Sequence, residues 1–213
     1  MIKNIVFDFG GVLCDLDFEH CMKTFEGIGL KRHLLKDDVI CTGIFQQFNM
    51  GTITEREFLN GLRQFENTSN PPSDKQLLDA WNSLLLSIPP QRFEALKKLY
   101  PHYSLYLLSN VNVSHWEYSV KHLWNYEGTS FLSHFKKIFL SYEMHKEKPN
   151  ADIFEEVIKV ADILPEESLF VDDRADNTTT AERVGFHTLQ ALGDEWIDKL
   201  VGKKNLSNLK WTF

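Results

Sequence analysis

Four short polar motifs in the chain contain the residue types that phosphate chemistry needs. They are Asp8-Phe9-Gly10-Gly11, Ser109-Asn110, Lys148-Pro149 and Asp172-Asp173. A carboxylate can attack phosphorus, hydroxyl and amide groups can donate to phosphate oxygens, and a lysine can neutralise charge on the transferring group. Two successive glycines allow a tight turn whose free amides could cradle an anion.

The hard oxygen ligands of these motifs also suit a particular metal. Mg²⁺ takes one or two carboxylates together with substrate phosphate oxygens and keeps several waters. The chemistry that follows is attack by a carboxylate to form an aspartyl-phosphate, with a metal and a lysine neutralising charge. Water then completes the hydrolysis. These residue types therefore suit phosphoryl transfer assisted by magnesium.

Short apolar runs that resemble buried strands precede most of these motifs. We predict strands at Ile2–Phe7, Ser104–Leu108, Lys137–Leu140, Ser168–Val171 and, more weakly, Phe186–Ala191. Between them, apolar residues recur at helical spacing, which predicts helices at Gln91–Leu99, Asp152–Ala161 and Asp176–Val184. Strands that alternate with helices predict an α/β fold with a doubly wound parallel sheet. In such sheets, ligands bind at the carboxyl ends of the strands.

One long segment breaks this alternation. Residues 17–87 show helical patterns and no convincing strand, including a capping box at Thr54–Glu57 and a predicted helix at Leu77–Leu86. We interpret residues 17–87 as an inserted helical module, the cap, and residues 1–16 with 88–213 as the core. Phe45 and Phe48 are expected to pack inside the cap rather than face substrate.

Composition limits the partners of the protein. The 213 residues carry a formal charge of −7 with a mean hydropathy of −0.29, which argues against electrostatic binding to nucleic acid or anionic lipid. No apolar stretch approaches the roughly 18 residues of a membrane span, and the three cysteines are too few and too scattered for a zinc site. We expect a cytoplasmic protein that binds a small phosphorylated metabolite; the oligomeric state cannot be inferred.

The four motifs together resemble those of a known superfamily. Phe7–Leu13, Leu108–Asn110, Lys148-Pro149 and Val171–Asp173 occur in the order and spacing of the haloacid dehalogenase superfamily, which has a Rossmann-like core. The helical insertion after the first motif resembles the C1 cap of that superfamily. Within it, the chain is most similar to bacterial sugar-phosphate phosphatases of the alpha-D-glucose-1-phosphatase type. The run Asp172–Asn177 contributes to this similarity.

The resemblance implies roles for the catalytic and metal-binding residues. Asp8 would be the nucleophile and a magnesium ligand, and the carbonyl of Gly10 a second ligand. Asp173 would bind the metal directly, with Asp172 in support or bound through water. Lys148 would pair with Asp8 and with the phosphoryl group.

Other residues are expected to surround the phosphate and the leaving group. The resemblance implies that Ser109 and Asn110 bind phosphate, and the loop amides at Gly10 and Gly11 could assist. Lys146 is an alternative to Lys148, which is favoured because it directly precedes Pro149 and a helix. His20 and His145 are remaining candidates for contact with substrate.

One position departs from most phosphatases of the superfamily. They carry a second aspartate, a general acid and base, where this chain has Gly10. Asp15 and Asp17 lie nearby in sequence, but we interpret them as hinge carboxylates. Without the acid, the acidity of the leaving group should matter more, which favours hexose 1-phosphates over 6-phosphates as substrates.

Two alternative functions remain open at this point. A metal-independent 2-haloacid dehalogenase also lacks the second aspartate and shows Leu-Ser-Asn, but Asp172 and Asp173 would then crowd Asp8 without a cation. A non-catalytic binding or regulatory protein would be consistent with Gly10. Such a protein would have no need to keep Asp8 and Lys148.

Overall fold

The computed structural model describes residues 1–31, 43–191 and 193–202. Within these residues there are nine strands: β1 Asn4–Phe7, β2 Asp15–Leu16, β3 Leu85–Ser87, β4 Ser104–Ser109, β5 Asn125–Tyr126, β6 Thr129–Ser130, β7 Phe135–Leu140, β8 Ser168–Asp172 and β9 His187–Gln190. The same residues form ten α-helices: α1 Phe18–Gly27, α2 Gly43–Asn49, α3 Glu55–Arg63, α4 Asp74–Asn82, α5 Pro90–Leu99, α6 Val113–His122, α7 Ser141–Met144, α8 Ala151–Ala161, α9 Ala175–Arg183 and α10 Glu195–Val201.

Five strands form one parallel sheet in the order β7-β4-β1-β8-β9. Strand β1 lies at its centre, and Phe7 pairs with Leu107 on one side and Val171 on the other. The residues that follow these three positions therefore emerge side by side at the carboxyl edge of the sheet. This register brings Asp8 next to Asp172.

Side chains on alternate positions of β1 enter two different apolar layers. Ile5 and Phe7 pack with residues of α5 and α10, whereas Val6 packs with residues of α8 and α9. All three side chains are fully buried, because helices cover both faces of the sheet. The structure confirms the predicted doubly wound α/β fold, and each of the five predicted strands lies in the sheet.

The prediction for the last helix of the cap was wrong at both ends. Helix α4 begins at Asp74, because Ser73 and Gln76 form a capping box whose signal the apolar pattern did not contain. The helix ends at Asn82, and Leu85–Ser87 forms strand β3 instead of a final helical turn. The capping box predicted at Thr54–Glu57 is present at the start of α3.

The four helices α1–α4 enclose an apolar cluster of their own. Phe58 stacks on Phe48 at 4.4 Å between ring centroids and meets Phe45 edge-on at 5.5 Å. Phe45 and Phe48 are each 1% exposed, so neither is available as a substrate platform. This cluster is separate from the two that flank the sheet.

Strands β2 and β3 pair antiparallel where the chain leaves the core and returns to it. We call this pair the connecting ribbon, and we propose it as the boundary between cap and core. The buried guanidinium of Arg92 anchors the ribbon, because it binds Asp15 at 2.8 Å and Asp194 at 2.6 Å. The carboxylate of Asp15 is therefore held by a structural ion pair.

A second connection between cap and core runs through His115 on α6. Its ring stacks on Trp81 of α4, and Nε2 donates to the Trp81 carbonyl at 3.0 Å. The amide of Asn112 donates to His115 Nδ1 at 3.3 Å and to Asn49 Oδ1 of α2 at 2.9 Å. Burial lowers the pKa of His115 to about 4, so the ring stays neutral and can accept from Asn112.

The cysteines are consistent with structural thiols where the structure describes them. Cys14 and Cys21 are free and buried, and burial raises the pKa of each thiol to about 12. Cys41 lies outside the described residues. None of the helices described is long and apolar enough to cross a membrane.

We predict that protonation of His115 destabilises the protein in acid. The folded pKa of about 4 lies below the unfolded value of 6.5, so the unfolded chain binds the proton first as pH falls. The contribution of His115 to the free energy of unfolding should therefore be fully present above pH 6.5. It should fall by roughly 3 kcal/mol as the pH falls to 4. Urea denaturation of wild type and His115→Gln at pH 7 and pH 4 measures the difference. An equal loss of stability between pH 7 and pH 4 in both proteins would contradict the assignment of this effect to His115.

Candidate active site

A cluster of charged side chains lies at the carboxyl edge of the sheet. Asp8 follows β1, and Asp172 and Asp173 lie at the end of β8. One carboxylate oxygen from each of these three residues lies within 4.8 Å of the other two. We call the three residues the carboxylate cluster. Lys148, which precedes α8, extends into it.

The ammonium group of Lys148 is the centre of this arrangement. Its Nζ lies 2.8 Å from Asp8 Oδ1 and 2.7 Å from Asp172 Oδ2, and it donates to the Leu108 carbonyl at 3.1 Å. All three ammonium protons therefore have acceptors. Burial acts to lower the pKa of Lys148, but the two carboxylates outweigh this effect and the pKa is raised. The lysine stays charged.

Asp172 and Asp173 are neighbours in sequence but differ in how their carboxylates are used. Asp172 is fully buried and accepts hydrogen bonds from Lys148, from the Arg174 backbone and from Asn177. Asp173 is half-buried, and its carboxylate accepts no bond from another residue in the described part of the chain. Asp173 is thus the more available metal ligand, and Asp172 positions Lys148.

Asp8 keeps one oxygen available for chemistry. Oδ1 accepts from the Phe9 amide at 2.7 Å and from Lys148, and within residues 1–31, 43–191 and 193–202 Oδ2 has no partner. Burial raises the pKa of Asp8 to about 7, and the charges of Asp172 and Asp173 add to this effect while Lys148 opposes it. Three carboxylates facing one ammonium therefore carry an excess of negative charge.

A divalent cation fits this cluster. Three carboxylates against one lysine leave two uncompensated negative charges, and the oxygens converge on one small region. Hard oxygen ligands in this number are those that Mg²⁺ accepts in proteins. Asp8 and Asp173 are the residues whose carboxylates would hold it.

A glycine is required at Gly11 for steric reasons. This residue has φ +78°, a conformation that other residues rarely adopt. A Cβ atom there would lie 2.6 Å from Asp173 Oδ2. A side chain at Gly11 would therefore displace the Asp173 carboxylate from the cluster.

Donors for an anion surround the same point. The Ser109 hydroxyl and the Gly10 amide line the cavity above Asp8, and neither has a hydrogen-bond partner among the described residues. Asn110 also lines this cavity, and its side chain donates to the Lys148 carbonyl at 2.8 Å and accepts from the Lys148 amide at 2.9 Å. Asn110 therefore positions the lysine, and only its second amide proton remains for a ligand.

The cavity above Asp8 has a volume of about 440 Å³, and we call it the mouth cavity. Its walls come from both parts of the protein: Phe18, Gln46 and Asn49 from the cap, and Glu147 and Arg174 from the core. Sequence reasoning did not identify these residues. Helical spacing alone gives no sign of which polar cap residues face the core.

Several residues suggested by the sequence lie elsewhere. Lys146 pairs with Glu156 at 3.4 Å and does not reach Asp8. His145 bonds to the Met50 carbonyl, and His20 is exposed on α1; neither lines the mouth cavity. The carboxylate of Asp17 caps α1 by accepting from the His20 amide.

An apolar side chain lies on the side of Gly10 where a Cβ atom would point. A Cβ atom at Gly10 would lie 3.1 Å from Leu16 Cδ1. Leu16 and Gly10 also line a smaller cavity of about 130 Å³, whose walls are mainly apolar but include Ser109 and Asn110. The atoms nearest to a Cβ at Gly10 therefore belong to Leu16, and none of them is a carboxyl oxygen.

Comparison with known proteins gives concordant results. A sequence model of the haloacid dehalogenase-like hydrolases matches residues 2–185. A D-ribitol-5-phosphate phosphatase of Bacteroides thetaiotaomicron is 32% identical over 202 residues, which cover 94% of this chain and 97% of the relative.

Two solved structures are similar over nearly the whole chain. A HAD family enzyme of Bacteroides thetaiotaomicron, in complex with magnesium and inorganic phosphate, is 38% identical with a TM-score of 0.87. The match covers 94% of this chain and 100% of that one. A predicted HAD-like family hydrolase of Porphyromonas gingivalis is 35% identical with a TM-score of 0.83, covering 96% and 100% of the two chains.

We predict that binding of Mg²⁺ releases a proton from Asp8. With a pKa of about 7, the metal-free carboxyl is largely protonated below pH 7, and the metal needs the ionised form. The affinity for Mg²⁺ should therefore rise between pH 6 and pH 8. Calorimetric titrations with MgCl₂ in two buffers of different ionisation enthalpy measure the proton release at pH 7. It should vanish in Asp8→Asn, and heats independent of the buffer in wild type would refute it.

Proposed function

The chain belongs to the haloacid dehalogenase-like hydrolases, and from this we infer that it is a magnesium-dependent phosphatase of small sugar or sugar-alcohol phosphates. The observation that carries this proposal is the pairing of Asp8 with buried Lys148 inside the carboxylate cluster. The magnesium and phosphate bound by the similar Bacteroides enzyme support it. The named activity of the ribitol phosphate phosphatase supports the phosphate class.

The arrangement can carry out the reaction in two steps. Asp8 Oδ2 attacks phosphorus, a new Asp8–phosphorus bond forms, and the bond from phosphorus to the leaving oxygen breaks. The leaving oxygen keeps the electron pair and takes a proton from water. A second water molecule then attacks the same phosphorus and gives up a proton to solvent, and the Asp8–phosphorus bond breaks to release phosphate. Lys148 holds the nucleophile in place, while Ser109 and the Gly10 amide donate to phosphate oxygens. When bound, Mg²⁺ supplies further charge neutralisation.

Two observations favour different leaving groups. The absent acid at Gly10 predicts hexose 1-phosphates as good substrates, since an anomeric oxygen leaves easily. The similar Bacteroides phosphatase is named for D-ribitol 5-phosphate, an ester of a primary alcohol. The comparison therefore favours an open-chain sugar alcohol, and both esters belong in the same activity screen.

The dehalogenase and non-catalytic alternatives have less support. A dehalogenase that works without metal has no use for three convergent carboxylates, whose mutual repulsion would oppose a second ionised group beside Asp8. A binding protein gains nothing from a free Asp8 oxygen directed at a cavity. Release of halide from a 2-haloacid, or full activity in excess chelator, would reverse this preference.

We predict that Asp8→Asn abolishes turnover while the fold is retained, because an amide cannot attack phosphorus. Hydrolysis of p-nitrophenyl phosphate with saturating Mg²⁺ should fall by at least about 10³-fold, since nucleophilic catalysis is lost. Asp17→Asn is the matched control: it makes the same chemical change outside the mouth cavity, and asparagine also caps helices. Activity of Asp8→Asn within tenfold of wild type would refute the assignment.

We predict that Gly10→Asp changes the response to the leaving group. General acid help is worth roughly 10²–10⁴-fold when a leaving oxygen must be protonated. Wild type should therefore show a steep dependence of kcat on leaving-group acidity across a series of phosphate esters. The added carboxyl should flatten it, and the flexible end of Leu16 should move to admit the side chain. A shallow slope already present in wild type would mean that another group supplies the proton.

A further inference from the structure

One polar pair crosses the mouth cavity between cap and core. Gln46 of α2 donates from Nε2 to Glu147 Oε1, and both side chains are half-buried. Both residues line the cavity that contains Asp8. Glu147 directly precedes Lys148, so the position of its backbone is tied to the catalytic lysine.

The pair keeps unused hydrogen-bonding groups. Glu147 Oε2 and Gln46 Oε1 have no partner in the portion of the chain that the structure describes. Both free atoms are acceptors, and a hydroxyl group is the neutral donor that two such acceptors can bind. The pair thus offers a wall of acceptors that suits hydroxyl groups.

An apolar surface completes the cavity. Phe18 is 38% exposed at the start of α1 and lines the same space. An aromatic face can cover the carbon skeleton of a polyhydroxy compound while polar groups bind its hydroxyls. A leaving group with many hydroxyls and no charge matches these surfaces.

The charges in the cavity disfavour a second anion. Glu147 adds a carboxylate to those of Asp8 and Asp173, and the compensating Lys148 is enclosed by its own acceptors. Arg174 also lines the cavity, but both Nε and Nη2 of its guanidinium are bonded to Asp176. Together with a bound phosphate dianion, these carboxylates outnumber the positive charges of Lys148, Arg174 and a Mg²⁺ ion, so a carboxylate on the leaving group would meet net negative charge.

We propose that Glu147 and Gln46 determine specificity by binding leaving-group hydroxyls, so that the enzyme prefers phosphate esters of neutral polyols to esters that carry a carboxylate. This inference rests on the proposed phosphatase function and assigns its selectivity to two residues. It places the choice between neutral and anionic esters at the cap–core boundary, next to Lys148.

Two esters of matched length test the proposal. D-Ribitol 5-phosphate and D-ribonate 5-phosphate have the same five-carbon chain and differ by a terminal carboxylate, and phenyl phosphate has no hydroxyls. Wild type with Mg²⁺ should prefer the ribitol ester to the ribonate ester by on the order of tenfold or more in kcat/KM, because like charges repel in a partly buried site. Equal kcat/KM values for the two esters would overturn the proposal.

Substitutions test whether Glu147 and Gln46 cause the preference for the ribitol ester. In Glu147→Gln, the ratio of kcat/KM for the ribitol ester to that for the ribonate ester should fall by roughly tenfold, as hydrogen bonds to a charged acceptor are the stronger ones. Gln46→Ala should lower kcat/KM for the ribitol ester more than for phenyl phosphate. Glu155→Gln removes the same charge from an exposed position on α8 outside the cavity and should leave all three values unchanged.

The possible outcomes distinguish failure of the phosphatase function from failure of the specificity role of Gln46 and Glu147. Failure of wild type to hydrolyse any ester, phenyl phosphate included, would refute the phosphatase function itself. Hydrolysis with an unchanged ratio in Glu147→Gln would refute only the role of the pair. A loss in Glu147→Gln that grows with the pKa of the leaving alcohol, even among hydroxyl-free esters, would show proton transfer and overturn the specificity role.

Discussion

The buried ammonium of Lys148 is the interaction on which the site depends. It lies between Asp8 and Asp172, and each of these carboxylates comes from a neighbouring strand of the sheet. Removing such a charge from water is costly unless every proton has an acceptor, and the Leu108 carbonyl supplies the third. The loop geometry around it, including the bonds from Asn110 to its backbone, follows from this requirement.

The same charges create the need for a cation. Lysine compensates only part of the carboxylate cluster, and burial raises the pKa of Asp8 to about 7 in the metal-free protein. A divalent ion would restore the ionised form and leave Asp8 ready to attack. The division of labour between Asp172 and Asp173 has the same origin, because one carboxylate is consumed by internal donors and the other stays available.

In the proposed function, the cap makes this edge of the sheet selective for substrate. Two attachments hold it over the core: the connecting ribbon, anchored by Arg92, and the hydrogen bonds around His115. Between them the cap contributes Phe18 and Gln46 to the mouth cavity, while its own aromatic cluster stays buried and provides rigidity. At Gly10, the side chain nearest to the direction of a Cβ atom is the apolar Leu16, so proton supply is left to other groups.

Much of this could be predicted from local sequence. An apolar run followed by Asp8 and two glycines, and another followed by Asp172-Asp173, predicted both the parallel sheet and the polar residues at its carboxyl edge. That prediction works because strand burial leaves a strong local pattern. The helix predicted at Leu77–Leu86 failed because apolar residues at helical spacing do not distinguish a last turn from a short strand. Strand β3 exists only because β2 is present to pair with it.

By itself, the sequence determined the fold class and the order of the motifs, and it predicted which aspartates and which lysine could form the site. Only the tertiary structure decided which side chains are consumed by internal bonds and which remain free for a ligand. Asp172 and Asp173 are chemically identical in the sequence, and burial against Asn177 and Lys148 separates their roles. Gln46 and Glu147 are 101 positions apart, and no local pattern predicts that they meet. Contacts of this kind depend on how the cap docks, because docking is determined by the packing of many residues at once.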